Sequence, residues 1–422
     1  MDLTDDSNDH LTCPLLQLSN TKEAPVPPGD CGNLHAIANC LALLIGLGVL
    51  SSPYAVASGG LVSLSLNGLV AAAYFYTALL LVWCLEVDPT LTNFSDISRK
   101  ALGRKGHVVA TALLFTDLLS ALVGYGISLS DNLVSAIPVG GHSEILGLKR
   151  RYFLTFAATL VLLPTVWVRR LKSLAWISAS SIVSSILVLI ALLWIAALDE
   201  VGIDQPIPFL HWEGISIASG IYLFTYGANI ILPSVRASMV NKATFPKVLA
   251  SSFIIAGTFY GGIGLLGASM FGSETESQIT LNMPLGLIGS KLAVWANIIT
   301  SVMKFSILLR PVAVELEAML PWHADCTTHV LISMGIRTML VIVLIVVSLC
   351  LPFFAYVISL VGSSLTVTLC VILPCWMYWS LFRGSIKAWE VALLLLVSIG
   401  GVGAGVTGTV ISIVGIFKSS NS

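Results

Sequence analysis

The chain has 422 residues, of which 56% are hydrophobic and only 10% are charged, and its formal net charge is −1 at pH 7. Soluble domains carry about 25% charged residues, so this composition excludes a soluble globular protein and indicates many membrane spans. A nearly neutral chain also offers no electrostatic support for a nucleic-acid partner. The eight cysteines show neither a CxxC pair nor the spacing of metal ligands, so we expect no disulfide framework, metal or cofactor.

The first segment, residues 1–32, contains acidic residues, serines and prolines without hydrophobic periodicity. Such a segment cannot bury enough apolar surface to fold alone, which predicts a disordered cytosolic tail. It also lacks the basic start of a secretory signal, so we expect no cleavable signal peptide.

The next stretch, residues 33–56, is apolar and longer than the roughly 20 residues that a helix needs to cross a bilayer. Gly46, Gly48 and Pro53 nevertheless interrupt its centre, because glycine costs about 1 kcal/mol relative to alanine in a helix and proline lacks the backbone donor. The backbone groups left free at mid-depth must face protein, water or a ligand. Transporters build substrate sites in this way, whereas the simpler alternative is a kinked helix with small residues at a helix–helix contact.

Ten further apolar stretches follow, and each is long enough to span the membrane. They lie at about 61–86, 107–136, 151–168, 174–198, 212–232, 246–271, 287–318, 329–350, 353–381 and 389–416. The sixth span again has a glycine-containing centre about five residues before a proline, Pro233. Interrupted spans in corresponding positions predict two inverted repeats, residues 33–198 and 212–381, within a transporter domain at 33–416. An extra helix at 389–416 and a short tail at 417–422 complete this all-α polytopic membrane protein with about eleven transmembrane helices.

Lysine and arginine in the connections predict the orientation of the chain. With the N-terminus in the cytosol, fourteen of these residues face the cytosol, five face the opposite side, and Lys304 and Arg337 lie within spans. This bias favours a cytosolic N-terminus, and eleven spans then place the C-terminus on the far side.

The interrupted first span also carries a recognisable motif. The run Gly46-Leu-Gly48-Val-Leu-Ser51-Ser-Pro53-Tyr54-Ala55 resembles the first-helix signature of the amino acid/auxin permease family, of the APC superfamily, and the plant vacuolar amino acid transporter type matches best. Further similarities are Asp131-Asn132-Leu133, Gly220-Ile-Tyr222 with Pro233, Trp295 with Lys304, Pro311 and Glu317, Leu351-Pro352-Phe353-Phe354 and Leu373-Pro374-Cys375. The resemblance covers about residues 33–416. It implies a LeuT-like fold of two inverted five-helix repeats with broken helices 1 and 6, and secondary transport of amino acids, usually coupled to protons.

Two departures from the family pattern affect the expected coupling. Gly227-Ala228-Asn229 stands where this branch usually carries Ser-Gly-His, which removes a titratable group. Thr300-Ser301 stands where the branch often has Asn-Pro, which changes the polar packing before Lys304.

The interruption in span 1 is the best candidate for the substrate site. A half-helix that begins at Gly46, Leu47 and Gly48 would aim free N–H groups and the positive end of its dipole at a substrate carboxylate. Ser51 or Ser52 would add a hydroxyl donor, or would instead bond its own preceding carbonyl. The opposite wall would come from span 6, unless its residues only pack: Tyr222, Phe224, Thr225 and Tyr226.

Charges inside the spans mark candidates for proton coupling, because a mid-membrane charge costs about 2.5–3.5 kcal/mol on insertion scales and must face protein or water. Lys304 could carry a proton, replace a metal cation as a permanent charge, or simply pair with Asp117 or a helix end. Asp117 is the second candidate, whereas Arg337 lies nearer a span end and should snorkel. Three other residues could provide polar lining: Asn39, Tyr125 and Asn297.

These features together predict a proton-coupled transporter of neutral amino acids in a plant vacuolar membrane, with the plasma membrane or another endomembrane as alternatives. Its partners would be an amino acid substrate, protons and the lipid bilayer. The main competing interpretation is an amino acid sensor, or transceptor, that binds substrate without substantial transport. A channel fits less well with helices interrupted around a gated site. No nucleophile–base pair or metal pattern suggests an enzyme.

Overall fold

The computed structural model of the protein describes residues 31–88, 90–137, 144–145, 148–167, 174–197, 202–318, 326–351 and 353–420. The predicted N-terminal tail, up to residue 30, and the basic connection at 169–172 lie outside these ranges.

The described residues are almost entirely helical. The α-helices in chain order are α1 Asn33–Leu44, α2 Gly48–Gly59, α3 Val62–Glu86, α4 Phe94–Ala136, α5 Arg150–Trp167, α6 Leu174–Ala197, α7 Trp212–Thr225, α8 Leu232–Ala237, α9 Phe245–Phe271, α10 Ile279–Asn282, α11 Ile288–Ala318, α12 Cys326–Cys350, α13 Phe354–Val361, α14 Leu373–Phe382 and α15 Ala388–Ser420. Short 3₁₀ turns form at Lys242–Thr244 and Gly272–Glu274, and π-helical turns at Gly362–Thr366 and Thr368–Ile372. Two short strands, β1 Glu144–Ile145 and β2 Leu148–Lys149, pair antiparallel ahead of α5.

By length and composition, eight helices among the described residues could cross a membrane, or nine if α1 and α2 form one bent span. The difference from the eleven predicted spans lies in α5 and α7. Two arginines, Arg150 and Arg151, lower the hydropathy of the 18-residue α5. Helix α7 has only 14 residues because the chain unwinds after Thr225.

The predicted break in span 1 is confirmed. The axes of α1 and α2 are bent by 58° across the gap at residues 45–47. In span 6, residues 226–231 form turns between α7 and the short α8. Pro233 is the second residue of α8. Both interruptions therefore exist as the glycine and proline patterns predicted.

Three helices differ from the sequence prediction in their ends or in their regularity. Helix α4 begins at Phe94, well before residue 107, and kinks at Gly103, whose φ of 68° lies in the left-handed region that glycine tolerates. Span 10 is not one regular helix, because the π-helical turns separate α13 from α14. Helix α15 continues to Ser420, four residues beyond the predicted end.

The two broken spans cross each other closely. A Cβ atom added at Gly48 would lie 2.2 Å from Thr225 Oγ1, so only glycine allows α2 to approach α7 at this point. Beside this crossing, four fully buried tyrosines lie in the main core: Tyr74, Tyr222, Tyr226 and Tyr260. The crossing brings the N-terminal end of α2 next to the C-terminal end of α7.

Candidate functional site

The break between α1 and α2 leaves backbone groups available at the centre of the protein. The N–H groups of Leu47 and Gly48 donate to no described residue, while the Gly46 N–H faces the hydroxyl of Tyr260. The first N–H groups of a helix have no partner inside it and carry its partial positive charge. This end of α2 can therefore bind an anionic group such as a carboxylate.

The opposite side of the break is capped by two side chains from other helices. Lys304 Nζ of α11 donates to the carbonyl oxygens of Ala42 at 3.0 Å and Ile45 at 3.4 Å. The Tyr260 hydroxyl of α9 donates to the Leu44 carbonyl at 2.5 Å. A cation at the negative end of a helix dipole is electrostatically favourable, so Lys304 satisfies the end of α1 and ties it to α11.

A cavity of about 20 Å³ adjoins the break, which is room for about one water molecule. It is enclosed by residues of α2, α4, α6 and α11 and of the break itself: Gly46, Leu47, Val49, Leu50, Tyr125, Ser181, Ser184, Ser185, Val188, Asn297 and Thr300. A whole amino acid would not fit in this volume, so in the conformation described the break is not open to one.

Of the predicted substrate residues in span 1, Gly46 and Leu47 line the cavity. Gly48 instead contacts α7. Ser51 Oγ donates to the Leu47 carbonyl at 3.3 Å and Ser52 Oγ to the Gly48 carbonyl at 2.7 Å. Both hydroxyls thus donate to a carbonyl in the preceding turn, as the second of the two roles predicted for these serines requires.

The predicted aromatic wall from span 6 does not line this cavity. The Tyr226 hydroxyl donates to Asn67 Oδ1 at 2.8 Å, and the Tyr222 hydroxyl faces Ser63, so both rings point toward α3. Phe224 packs in a hydrophobic cluster with Leu47, and Thr225 lies against Gly48.

Span 6 contributes backbone groups as well. The carbonyl groups of Thr225 and Gly227 accept no hydrogen bond from a described residue. They lie where α7 ends and the chain unwinds.

Asp117 and Asn229 belong to a second buried polar region, at the break in span 6. Asp117 is buried and accepts a hydrogen bond of 2.8 Å from Thr366 Oγ1, and it takes part in no ion pair among the described residues. The amide of Asn229 donates to the carbonyl oxygens of Tyr74 and Cys370, while its own Oδ1 has no partner among the described residues. Lys304 and Asp117 are therefore not partners of each other.

A polar network connects the cavity to the far end of α4. Asn297 Nδ2 lies 3.4 Å from Ser128 Oγ, which donates to Gln278 Oε1 at 2.8 Å. Gln278, which is fully buried just before α10, donates to Asp131 at 2.9 Å, and Asp131 pairs with Arg151 at 2.9 Å. With the predicted orientation, this network lies on the extracytosolic side of the cavity.

The prediction that Arg337 snorkels is wrong. Arg337 is only 4% exposed, and its Nε donates to Glu317 Oε1 at 2.9 Å. Its Nη1 also donates to the Val166 carbonyl at 3.0 Å, at the end of α5. Glu317 supplies a buried counter-charge that removes any need for the side chain to reach the membrane surface.

The predicted lining residues have mixed outcomes, and one wall of the cavity consists of residues that were not predicted from the sequence. Tyr125 and Asn297 line the cavity, whereas Asn39 is exposed near Cys31. The overlooked wall is the α6 face with Ser181, Ser184 and Ser185. Three serines at helical spacing inside an apolar span were a usable signal, because each could face the protein interior.

Comparisons with known proteins show which family this chain resembles. The family of transmembrane amino acid transporter proteins matches residues 30–417. Amino acid transporter AVT1C of Arabidopsis thaliana is 35% identical over 387 residues, which cover 89% of this chain and 68% of that protein. Amino acid transporter AVT1I of the same plant is 35% identical over 386 residues, covering 90% and 94%.

The fold has a solved counterpart. The crystal structure of MhsT in complex with L-phenylalanine aligns with a TM-score of 0.56 at 11% identity, covering 91% of this chain and 99% of that one. This likeness concerns the fold alone, and it confirms the LeuT-like architecture expected from the broken helices. The family match over nearly the whole chain and the AVT1 relatives together show that this integral membrane protein belongs to the amino acid/auxin permease family of amino acid transporters.

Proposed function

We propose that this protein is a proton-coupled transporter of neutral amino acids that works by alternating access around the break in span 1. The observation that carries the proposal is the pair of unpaired N–H groups at Leu47 and Gly48 beside a closed cavity. These donors would bind the substrate carboxylate. The free carbonyl groups of Thr225 and Gly227, in span 6, would receive the ammonium.

Neutral substrates fit the charges near the site. The only cation in contact with the break, among the described residues, is Lys304, and its donors point at carbonyls of α1. The cavity itself is lined by hydroxyl, amide and apolar groups. An ionised substrate side chain would find no counter-charge there and would be strongly disfavoured.

Lys304 is our choice for the group that couples transport to protons. While its ammonium is charged, it holds the negative end of α1 against α11. Loss of the proton would weaken that attraction and free α1 to move, which would open the cytosolic side of the site. Asn229 cannot replace the family's histidine as a proton carrier, because an amide does not titrate in the physiological range.

The names of the AVT1 relatives and the first-helix motif favour the vacuolar membrane as the location. An acidic vacuolar lumen would supply protons to the extracytosolic side, so substrate would move with protons into the cytosol. Separation of plant membranes by density, with the protein tagged, would test this assignment.

Transport itself can be tested in proteoliposomes with an imposed pH gradient and labelled neutral amino acids. We expect uphill accumulation that a protonophore abolishes. Uptake without any response to the gradient would indicate a facilitator. Saturable binding without uptake would instead support the competing interpretation, an amino acid sensor.

A further inference from the structure

The α6 wall of the cavity contains a hydroxyl group with no partner. Ser181 is only 2% exposed, and its Oγ makes no hydrogen bond with any described residue. The neighbouring Ser185 hydroxyl is already engaged, since it donates to the Ser181 carbonyl at 2.8 Å. Buried hydroxyl groups are usually hydrogen-bonded, so an unpaired one beside a cavity offers a hydrogen bond to a polar group that enters there.

The facing wall, on α11, also has hydrogen-bonding capacity to spare. Asn297 Nδ2 reaches Ser128 Oγ only at 3.4 Å, and Thr300 Oγ1 reaches the Ser180 carbonyl only at 3.4 Å. Both contacts are longer than a typical hydrogen bond. A polar group between α6 and α11 could therefore take shorter bonds from both sides.

The remaining lining limits the size and charge of that group. Val49, Leu50 and Val188 supply apolar surface, and no acidic or basic side chain from the described part of the chain lines the cavity. The closed volume of about 20 Å³ has room for one small polar group. A hydroxyl group satisfies each of these conditions.

The orientation of a bound amino acid follows from the break. Its carboxylate would lie at the N–H groups of Leu47 and Gly48, and its ammonium toward α7, as the proposed function requires. Gly46 and Leu47 belong to the cavity, so the side chain is the part of the substrate left to enter it.

We propose that the cavity between α6 and α11 receives the substrate side chain and that Ser181 selects small amino acids with a hydroxyl group, such as serine and threonine. This inference rests on the proposed transport function. A site that hydrogen-bonds a substrate hydroxyl group rejects an analogue that lacks the hydroxyl, because the polar group of the protein is then left unpaired.

The test compares pairs of substrates that differ in the hydroxyl group. In proteoliposomes, we expect the wild type to transport L-serine over L-alanine, and L-threonine over L-valine, by about tenfold or more in kcat/KM. Ser181→Ala should reduce both ratios to near one by slowing the hydroxylated substrates. Ser184→Ala, on the same wall, should lower the ratios as well. It replaces Ser181→Ala as the test if that variant does not fold.

Ser290→Ala is the matched control. Ser290 is fully buried in α11, and its hydroxyl also lacks a partner among the described residues, yet it is not part of the cavity. This variant should keep both ratios.

Three results would overturn the assignment. The first is equal wild-type transport of the two substrates in each pair, serine with alanine and threonine with valine. The second is an unchanged transport ratio in active Ser181→Ala and Ser184→Ala proteins. Sodium-dependent uptake that Ser181→Ala abolishes would show that the cavity binds an ion instead. Failure to transport any amino acid would count against the proposed transport function itself. That result differs from a failure of the side-chain assignment, in which transport persists without selectivity.

Discussion

Lys304 Nζ lies 3.0 Å from the carbonyl oxygen of Ala42, so a cation from α11 occupies the C-terminal end of the first half-helix. Residue 42 belongs to the first predicted repeat and residue 304 to the second. The contact therefore joins the two predicted repeats beside the break in span 1. Of the two structural partners expected for Lys304, the contact is therefore with a helix end and not with Asp117.

We first predict that Lys304→Met eliminates accumulation driven by a pH gradient. Methionine fills similar space but cannot hold a proton or cap α1. Exchange of labelled for unlabelled substrate should partly survive, because the N–H groups of Leu47 and Gly48 are untouched. Uptake and exchange in proteoliposomes measure the two properties separately.

Lys304→Arg is the informative companion, because arginine keeps the charge but does not release its proton in the physiological range. It should retain exchange and lose coupling. If Lys304→Met still concentrates substrate, lysine is not the carrier, and Asp117→Asn becomes the next variant to test.

The second prediction concerns the backbone of the break. A Cβ atom at Gly46 would lie 3.2 Å from the Tyr125 hydroxyl, the far end of a side chain that can shift. Gly46→Val should therefore fold but fill the cavity, lowering transport by about ten- to a hundredfold. Uptake together with thermal stability in detergent checks both parts, and near-normal uptake by a stable variant would contradict the site.

Gly48 is less suitable for this test. Any side chain there meets Thr225 at 2.2 Å, so Gly48→Leu would separate α2 from α7 as well as block the site. Its loss of transport should come with a lower melting temperature, which a thermal scan would reveal.

Third, the buried pair of Arg337 and Glu317 should be needed for stability. Arg337→Met leaves the Glu317 carboxylate buried without a counter-charge, which costs about 3–5 kcal/mol. We expect a lower melting temperature and poorer yield. The double variant Arg337→Met/Glu317→Leu should recover much of the loss, since no unpaired charge remains.

An exposed arginine provides the control for this pair. Arg383 stacks on Trp379 with its guanidinium 4.8 Å from the ring centre. Arg383→Met should change the melting temperature little, because exposed contacts of this kind contribute about 0.5–1 kcal/mol. Equal effects at the two arginines would argue against a special role for the buried pair.

Fourth, we predict that the N-terminus and the basic segment at 99–105, near the start of α4, face the cytosol. The excess of lysine and arginine on that side motivates this orientation. In sealed vesicles with the cytosolic side out, protease should remove a tag before residue 1 and spare a tag after residue 422. Detergent should expose both tags, and the reverse protection pattern in intact vesicles would overturn the orientation.

Fifth, Asp131→Ala should loosen the extracytosolic closure. It removes the acceptor for Gln278 and the counter-ion of Arg151, so the network above the cavity loses two of its links. A cysteine placed in the cavity by Asn297→Cys should then react faster with an impermeant maleimide added on that side. Asp204→Ala, at an exposed acidic position, is the control, and equal labelling rates in all variants would refute the role of the network.

The chain by itself determined the membrane class, the breaks in spans 1 and 6, the family, and the need of Lys304 for a partner inside its span. These conclusions depend on properties that act locally along the chain. Apolar length decides whether a segment can cross a bilayer, and glycine and proline interrupt a helix wherever they stand. A charge inside an apolar span requires a partner whatever surrounds it.

Only the tertiary structure decided where the side chains point. Tyr222 and Tyr226 turn toward α3, Ser181 faces the cavity, and Arg337 meets Glu317 from another helix. A soluble helix reveals its buried face by a polar stripe on the other side. A membrane span is apolar toward lipid as well as toward protein, so its own residues do not distinguish the two faces, and the packing of neighbouring helices makes that choice.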